Sequence, residues 1–302
     1  MTVVAIVGST ATGKSELALA AARARGGVEI VSVDSMQVYR GMDIGTAKPT
    51  RAERDEIAHH LIDLVEPTAD FTVADYGPAC RDVRAEIAGR SHHALLVGGT
   101  GLYARAALGE LSPPGEWPAV RAELDAAANE EGGVERLHTR LVELDPAAAA
   151  KMTPTNRRRV VRALEVTIGG GRPFSSFGPG LDAYPPTDVV QIGLRTPRAL
   201  LVRRIEERYG RQLDGGFIDE VRALAGRSLS RTAGQALGYK ELLAYVRGTS
   251  SLDEAVALAV ARTRRFAVRQ ERWFRRDPRV RWVDIGENPL VALPIVLEAL
   301  GT

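Results

Sequence analysis

The octapeptide Gly8-Ser9-Thr10-Ala11-Thr12-Gly13-Lys14-Ser15 fits G-x-x-x-x-G-K-[ST] at every fixed position. Its flanks fix its context. The apolar run Val3 to Val7 predicts a strand, and the Ala/Leu-rich stretch Glu16 to Arg25 predicts a helix. Strand, glycine-rich loop and helix in that order form a phosphate cradle. Loop N–H groups point into one concavity, the helix N-terminus adds partial positive charge, and Lys14 adds a full one. The Ser15 hydroxyl suits Mg²⁺. A ligand with linked phosphates is expected here. The loop alone leaves open whether a phosphoryl group is transferred or departs.

Strand and helix signals continue to alternate over the first hundred residues. Val28 to Val33 reads as a strand ending at Asp34. Thr72 to Arg90 reads as a helix with Thr72 as N-cap and Asp75 closing a capping box. Ala94 to Val97 reads as a buried strand running into Gly98-Gly99-Thr100. This alternation predicts an α/β fold, a P-loop NTPase-like parallel sheet flanked by helices. Ligands bind beyond the carboxyl ends of such strands, where the P-loop, Asp34 and Thr100 all lie. The pattern changes at Ser112-Pro113-Pro114-Gly115, and the signal is helical from Ala119 to about Ile168. After the breaker-rich stretch 169–186 a strand resumes at Val189, followed by mainly helical sequence. The organisation expected is a first core part over 1–113, an inserted all-helical domain over 114–187, and a second core part over 188–302.

Asp34 is read three ways: Mg²⁺ ligand, general base, or N-cap. The following Met36-Gln37-Val38-Tyr39 does not look like a helix start, which weakens the cap. Thr100 is either the N-cap of the next helix or a hydroxyl aimed into the cleft. Lys48 is a surface lysine or a phosphate contact. The five histidines form no metal set, since His59-His60 and His92-His93 are adjacent pairs; they read as structural.

Net charge is only +2, yet the basic residues cluster. Lys151 to Arg162 holds five Lys/Arg and no acid; Arg262 to Arg279 holds eight Arg against Glu271 and Asp277. One such run is usually a solvated helix face, but two favour a polyanionic partner. The single cysteine, Cys80, excludes an internal disulfide and a Cys-based zinc site, and fits a reducing cytoplasm. No apolar run approaches the roughly 18 residues of a membrane span, and no targeting signal precedes the first strand. A monomer without an obligate protein partner is the default.

Five segments together resemble the tRNA dimethylallyltransferases, or tRNA isopentenyltransferases. They are the P-loop, the long stretch from Ser32 to Pro49, Leu96 to Tyr103, Arg158 to Val166, and Thr263 to Arg275. The resemblance implies transfer of a dimethylallyl group from dimethylallyl diphosphate to the exocyclic amine of the adenosine 3′-adjacent to the anticodon. It implies that Gly8 to Ser15 grip the diphosphate leaving group with Mg²⁺. Asp34 would be the base, and Thr100 would hold the acceptor amine. Asp34, Ser35, Met36, Gln37 and Thr100 would face tRNA, as would Arg121, the run Arg158, Arg159, Val160, Val161 and Arg162, and Gly238-Tyr239-Lys240. The two basic clusters would clamp the RNA, one from each domain. This chain departs from the family at Ser9, Thr12 and Val268, and the valine offers no cation for a phosphate contact there.

Three rivals share part of this pattern. A small-metabolite P-loop kinase explains the first hundred residues but not the basic insertion. An adenylate isopentenyltransferase acting on free nucleotide would not need that insertion. A nucleotide-gated RNA-binding protein leaves Asp34 and Thr100 without a role.

Overall fold

The computed structural model describes residues 1–111, 113–178 and 180–301. It divides into two compact units: Met1–Glu110 with Tyr184–Thr302, and Leu111–Ala183.

The first unit is built on six strands: β1 (Val3–Gly8), β2 (Val28–Val33), β3 (His59–His60), β4 (His93–Gly98), β5 (Val190–Arg195) and β6 (Val280–Asp284). They form one sheet in the order β3-β2-β4-β1-β5-β6, with every neighbouring pair parallel. β1 and β2 are buried along their whole length; β1 carries a continuous Val/Ala/Ile run rather than alternation, while β2 buries Glu29 and Ser32 among its Val and Ile residues. The helices are α1 (Lys14–Arg25), α2 (Arg51–Glu56), α3 (Val73–Gly89) and α4 (Gly101–Ala107), with α5 to α8 in the second unit, then α9 (Arg198–Asp214), α10 (Phe217–Leu224), α11 (Tyr239–Val246), α12 (Leu252–Phe274) and α13 (Leu293–Leu300). The crossover from β1 through α1 to β2 runs one way along the sheet, and that from β3 through α3 to β4 runs back. With right-handed crossovers, this puts α1 and α3 on opposite faces.

Register sets the core. Val4 pairs with Leu95 and Ile6 with Val97, while Ile30 stands across from Leu95. These side chains form one apolar layer with Leu17 and Ala21 of α1 and Val296 and Leu300 of α13, all buried. Thr72 caps α3 with its hydroxyl on the Ala74 N–H, and Asp75 closes the capping box as expected. The histidines serve the sheet edge. His60 Nε2 and His92 Nδ1 lie 2.6 and 2.8 Å from the carboxylate of buried Glu29. The Arg90 guanidinium, with help from the histidines, holds that carboxyl down at about 2. Glu29 is therefore an anion in the folded protein, satisfied on both oxygens.

The second unit contains α5 (Pro118–Ala127), α6 (Gly133–Leu144), α7 (Pro146–Ala149) and α8 (Arg157–Gly169). The sequence read as one long helical signal is thus four helices. Asp145 caps α7 through the Ala148 N–H, and Pro146 sits at its first turn. Leu124, Leu137, Leu141, Val160, Val161 and Leu164 form its core.

Candidate active site

The phosphate loop joins β1 to α1. Ala11 and Gly13 both adopt left-handed backbone, φ 63° and 83°. Such strain at a non-glycine residue, on the order of 1–3 kcal/mol, persists where the surroundings over-determine it. Local bonds do that here. Thr12 Oγ1 donates to the Ser9 carbonyl at 2.9 Å, and Lys14 Nζ donates to the same oxygen at 2.5 Å. Ser9, where the resembled family has proline, spends its hydroxyl on the Ala267 carbonyl at 2.9 Å.

The loop opens on a cavity of about 580 Å³. Its walls bring together Thr10 to Glu16 except Thr12, Asp34 and Gln37 beyond β2, residues 46–49, Gly98 and Gly99 at the end of β4, and Gln270 of α12. Thr100 stands beside it, next in the chain after Gly99. The sheet does the gathering: Val33 pairs with Gly98 and Val7 with Gly98, so three strand ends deliver their loops to one point.

Asp34 is no helix cap. Its Oδ1 accepts from the Met36 N–H at 2.8 Å, which fixes the carboxylate and leaves Oδ2 for a proton. Thr100 occupies the cap position of α4 but makes no side-chain cap bond. Its Oγ1 instead accepts from the Ser35 N–H at 3.2 Å, tying the end of β4 to the segment carrying Asp34. Gln37 bridges as well. Its Oε1 accepts from Ser32 Oγ at 2.7 Å and its Nε2 donates to the Thr46 and Ala47 carbonyls.

Cations line the phosphate end. Burial pushes the Lys14 ammonium down to about 7, with Arg208 adding to the fall and Asp34 opposing it. Burial also lowers Arg208, whose Nη1 donates to Thr10 Oγ1 at 3.1 Å. Arg204, Arg208 and Arg211 stand at helical spacing on α9 and all reach the cavity. That spacing is visible in the sequence, but nothing local links α9 to a loop almost two hundred residues earlier. Gln270 lies inside the Thr263 to Arg275 segment of the resemblance, but nothing local in the sequence points it at the loop.

Two readings of Lys48 fail together. Its side chain is 1% exposed. The Nζ meets the Tyr39 carbonyl at 2.6 Å, Asp43 at 2.6 Å and Asp63 at 2.5 Å, which uses all three ammonium donors. It is neither a surface lysine nor a phosphate contact, and it pins the polar loop in place. Glu220 fixes the start of that loop by accepting from the N–H groups of Asp43, Ile44 and Gly45.

The expected RNA contacts lie in unlike surroundings. Val160 and Val161 are wholly buried in the helical unit, so their side chains hold that core and their place in the expected contact run is as support for the exposed arginines beside them. Tyr239 is buried, with its hydroxyl donating to Glu220 at 2.6 Å. Arg121 is engaged by Asp125 and Glu165, and Arg162 by Glu165 and the Pro114 and Gly115 carbonyls. Arg158 and Arg159 are exposed, as is Lys240. Gly238 is buried and opens α11. On α12, Arg265, Arg269 and Arg272 are exposed at helical spacing along one face.

The oxygen donors suit Mg²⁺. Ser15 and Asp34 line the same cavity, and among the described residues no group of three or more His, Cys, Asp or Glu could hold a metal ion. Mg²⁺ binds through one or two protein oxygens plus ligand phosphates and retained waters, so this donor set fits it.

The depressed Lys14 predicts a pH dependence. In the free protein Lys14 loses its proton above about pH 7. A bound diphosphate favours the charged form, so binding takes up a proton. Affinity for inorganic diphosphate should be flat below that point and fall up to about tenfold per pH unit above it. Calorimetry in buffers of different ionisation enthalpy reads the uptake directly. Lys14→Arg should abolish this component, while the ligand's own titration stays common to both proteins; equal uptake in the two would contradict the assignment.

Comparison with known proteins agrees with this geometry. The IPP transferase family matches residues 37–277, and the isopentenyl transferase family matches residues 1–64. The chain is 48% identical over 289 residues to a tRNA dimethylallyltransferase of Geobacter sulfurreducens, covering 94% of this chain and 92% of the relative. It is 49% identical over 297 residues to one of Thermobifida fusca, covering 96% and 92%. Among solved structures, the full-length tRNA isopentenylpyrophosphate transferase of Bacillus halodurans superposes with a TM-score of 0.70 at 38% identity, covering 99% of this chain and 96% of that one. A eukaryotic dimethylallyltransferase acting on tRNA shares the fold, with a TM-score of 0.74 at 24% identity over 94% of this chain and 74% of that one.

Proposed function

The chain belongs to the IPP transferase family, the tRNA dimethylallyltransferases, and we propose how its own residues carry out that family's reaction. The enzyme is a prenyltransferase that modifies tRNA. Its donor is dimethylallyl diphosphate and its acceptor is the exocyclic amine of the adenosine 3′-adjacent to the anticodon. The observation that carries this reading is the meeting of a complete phosphate loop and a carboxylate with one unbonded oxygen in a single cavity.

The amine nitrogen attacks the terminal allylic carbon of the donor. The carbon–oxygen bond breaks, and its electron pair leaves with the diphosphate. Lys14, Arg208 and the loop amides lie where that negative charge grows, so they stabilise the transition state more than the ground state. When bound through Ser15 and the diphosphate, Mg²⁺ would neutralise further charge on the leaving group. Adenine's amine is a weak nucleophile, so positioning by Thr100 and proton removal by Asp34 Oδ2 supply the rest. The target base must be unstacked to reach Asp34. Ser35, Met36 and Gln37 follow the base in the chain and face it. Arg158, Arg159, Lys240 and the α12 arginines supply phosphate contacts from their separate units. No described helix is long and apolar enough to cross a membrane, and we assign the reaction to the cytoplasm, where unmodified tRNA is met.

Acceptor choice tests this reading. Label from dimethylallyl diphosphate should enter unmodified tRNA with Mg²⁺ present, and should not enter AMP. A tRNA carrying inosine in place of the target adenosine lacks the amine and should accept none. Labelling of AMP at a comparable rate would move the chain to the free-nucleotide class.

A further inference from the structure

We propose that Gln270 is a positioning residue for this reaction: its side-chain amide sets the spacing between the phosphate loop and Thr100. The proposal rests on the functional reading above, which assigns the loop to the leaving diphosphate and Thr100 to the acceptor amine. Gln270 projects from α12 and is 7% exposed. Its Oε1 accepts from the Thr10 N–H at 2.8 Å, and its Nε2 donates to the Gly99 carbonyl at 2.8 Å. One side chain thus ties the loop after β1 to the loop after β4. A side-chain amide offers a donor and an acceptor on one rigid plane without titrating, and the two partners fix which end is which.

The glycines around Thr100 fit this docking. A Cβ on Gly99 would stand 2.3 Å from Gln270 Nε2, and one on Gly101 would stand 2.1 Å from Trp273 Cδ1. Both sites lack a side chain because α12 closes there, through residues three apart on one helix face. One turn earlier, the Ala267 carbonyl accepts from Ser9 Oγ. The Thr10 N–H is therefore committed to the bridge, and the loop amides from Ala11 onward remain for phosphate. Thr100 sits between the two α12 contacts, so the Gln270 side chain adds to the β1–β4 pairing in fixing its distance from the loop. An attack geometry is sensitive at this scale, since a shift of about 1 Å can cost about 100-fold in rate.

Two variants separate the two arms of the bridge. Gln270→Glu keeps an acceptor for Thr10 and loses the donor to Gly99. Gln270→Leu loses both. For Gln270→Glu we expect inorganic diphosphate affinity within about threefold of wild type at about pH 5.5, where its protonated carboxyl adds no charge beside the anion, but prenyl transfer to tRNA about 30- to 100-fold slower at about pH 8. Its rate relative to wild type should recover on lowering the pH from about 8 to about 5.5, because the protonated carboxyl regains a donor for Gly99. Gln270→Leu should show the same slow transfer, about tenfold weaker diphosphate binding, and no recovery. A merely structural residue would lower both quantities together in both variants, with no pH recovery, and that result overturns the proposal. If Gln270→Leu fails to fold, the pH recovery of Gln270→Glu still decides. A wild-type protein that transfers no prenyl group sinks the functional reading itself. A wild type that transfers it, with Gln270→Glu equally fast, sinks only the role of Gln270.

Discussion

Asp34→Asn should keep tRNA affinity within about twofold and lower turnover by about 10²- to 10⁴-fold, the range of a lost general base. Asparagine retains an oxygen to accept from the Met36 N–H, so the local turn survives. It replaces the unbonded carboxylate oxygen with an amide that cannot take a proton at neutral pH. Binding and chemistry are therefore expected to separate. Filter binding of tRNA gives the first quantity and single-turnover transfer the second. Unchanged turnover would remove Asp34 as the base. Because Asp34 also favours the charged form of Lys14, the variant should bind inorganic diphosphate with a slightly lower Lys14 proton affinity in the free protein.

Lys14→Met carries the other large effect. Lys14 lines the cavity, and in the proposed reaction its ammonium meets the oxygen that leaves; methionine fills similar space without the charge. Loss of one such contact typically costs about 10²- to 10³-fold in kcat. KM for the donor should rise as well, since the charge also meets the ground-state diphosphate. The fold should tolerate the change: the Ser9 carbonyl that accepts from Lys14 also accepts from Thr12 Oγ1, so no buried acceptor is orphaned. Steady-state kinetics with dimethylallyl diphosphate, beside a melting curve, separates these effects. A loss of stability matching the loss of activity would contradict the assignment. Lys14→Arg keeps the charge and should lie between the two proteins.

The sequence made some of this site legible and hid the rest for identifiable reasons. The P-loop declares itself because its chemistry is local: glycines, lysine and serine act within eight residues of one another. Asp34 and Thr100 were legible as cleft residues because parallel strands present their carboxyl ends together. Lys48 was not, because its burial depends on Asp63, fifteen positions later, and on Tyr39. The helix α2 carried a readable signature in Thr50 and Glu53, which form a complete capping box, but six residues offer too little periodicity to stand out. β3 is two residues long and has no pattern of its own. Val160 and Val161 show the limit of carrying a segment over whole: within one turn of α8, the arginines at 158 and 159 face solvent while the valines face the core. Arg208 and Gln270 reach the loop from sites roughly two hundred residues or more away, and only the assembled sheet reveals them.

The account turns on the diphosphate leaving rather than a phosphoryl group arriving. A donor labelled with carbon in the dimethylallyl group and with phosphorus in the diphosphate tests this in a single turnover with unmodified tRNA. The account predicts carbon in the RNA, at the amine of the adenosine beside the anticodon, with phosphorus released as inorganic diphosphate in equal amount. Phosphorus label in the RNA, or diphosphate released without carbon transfer, would contradict it.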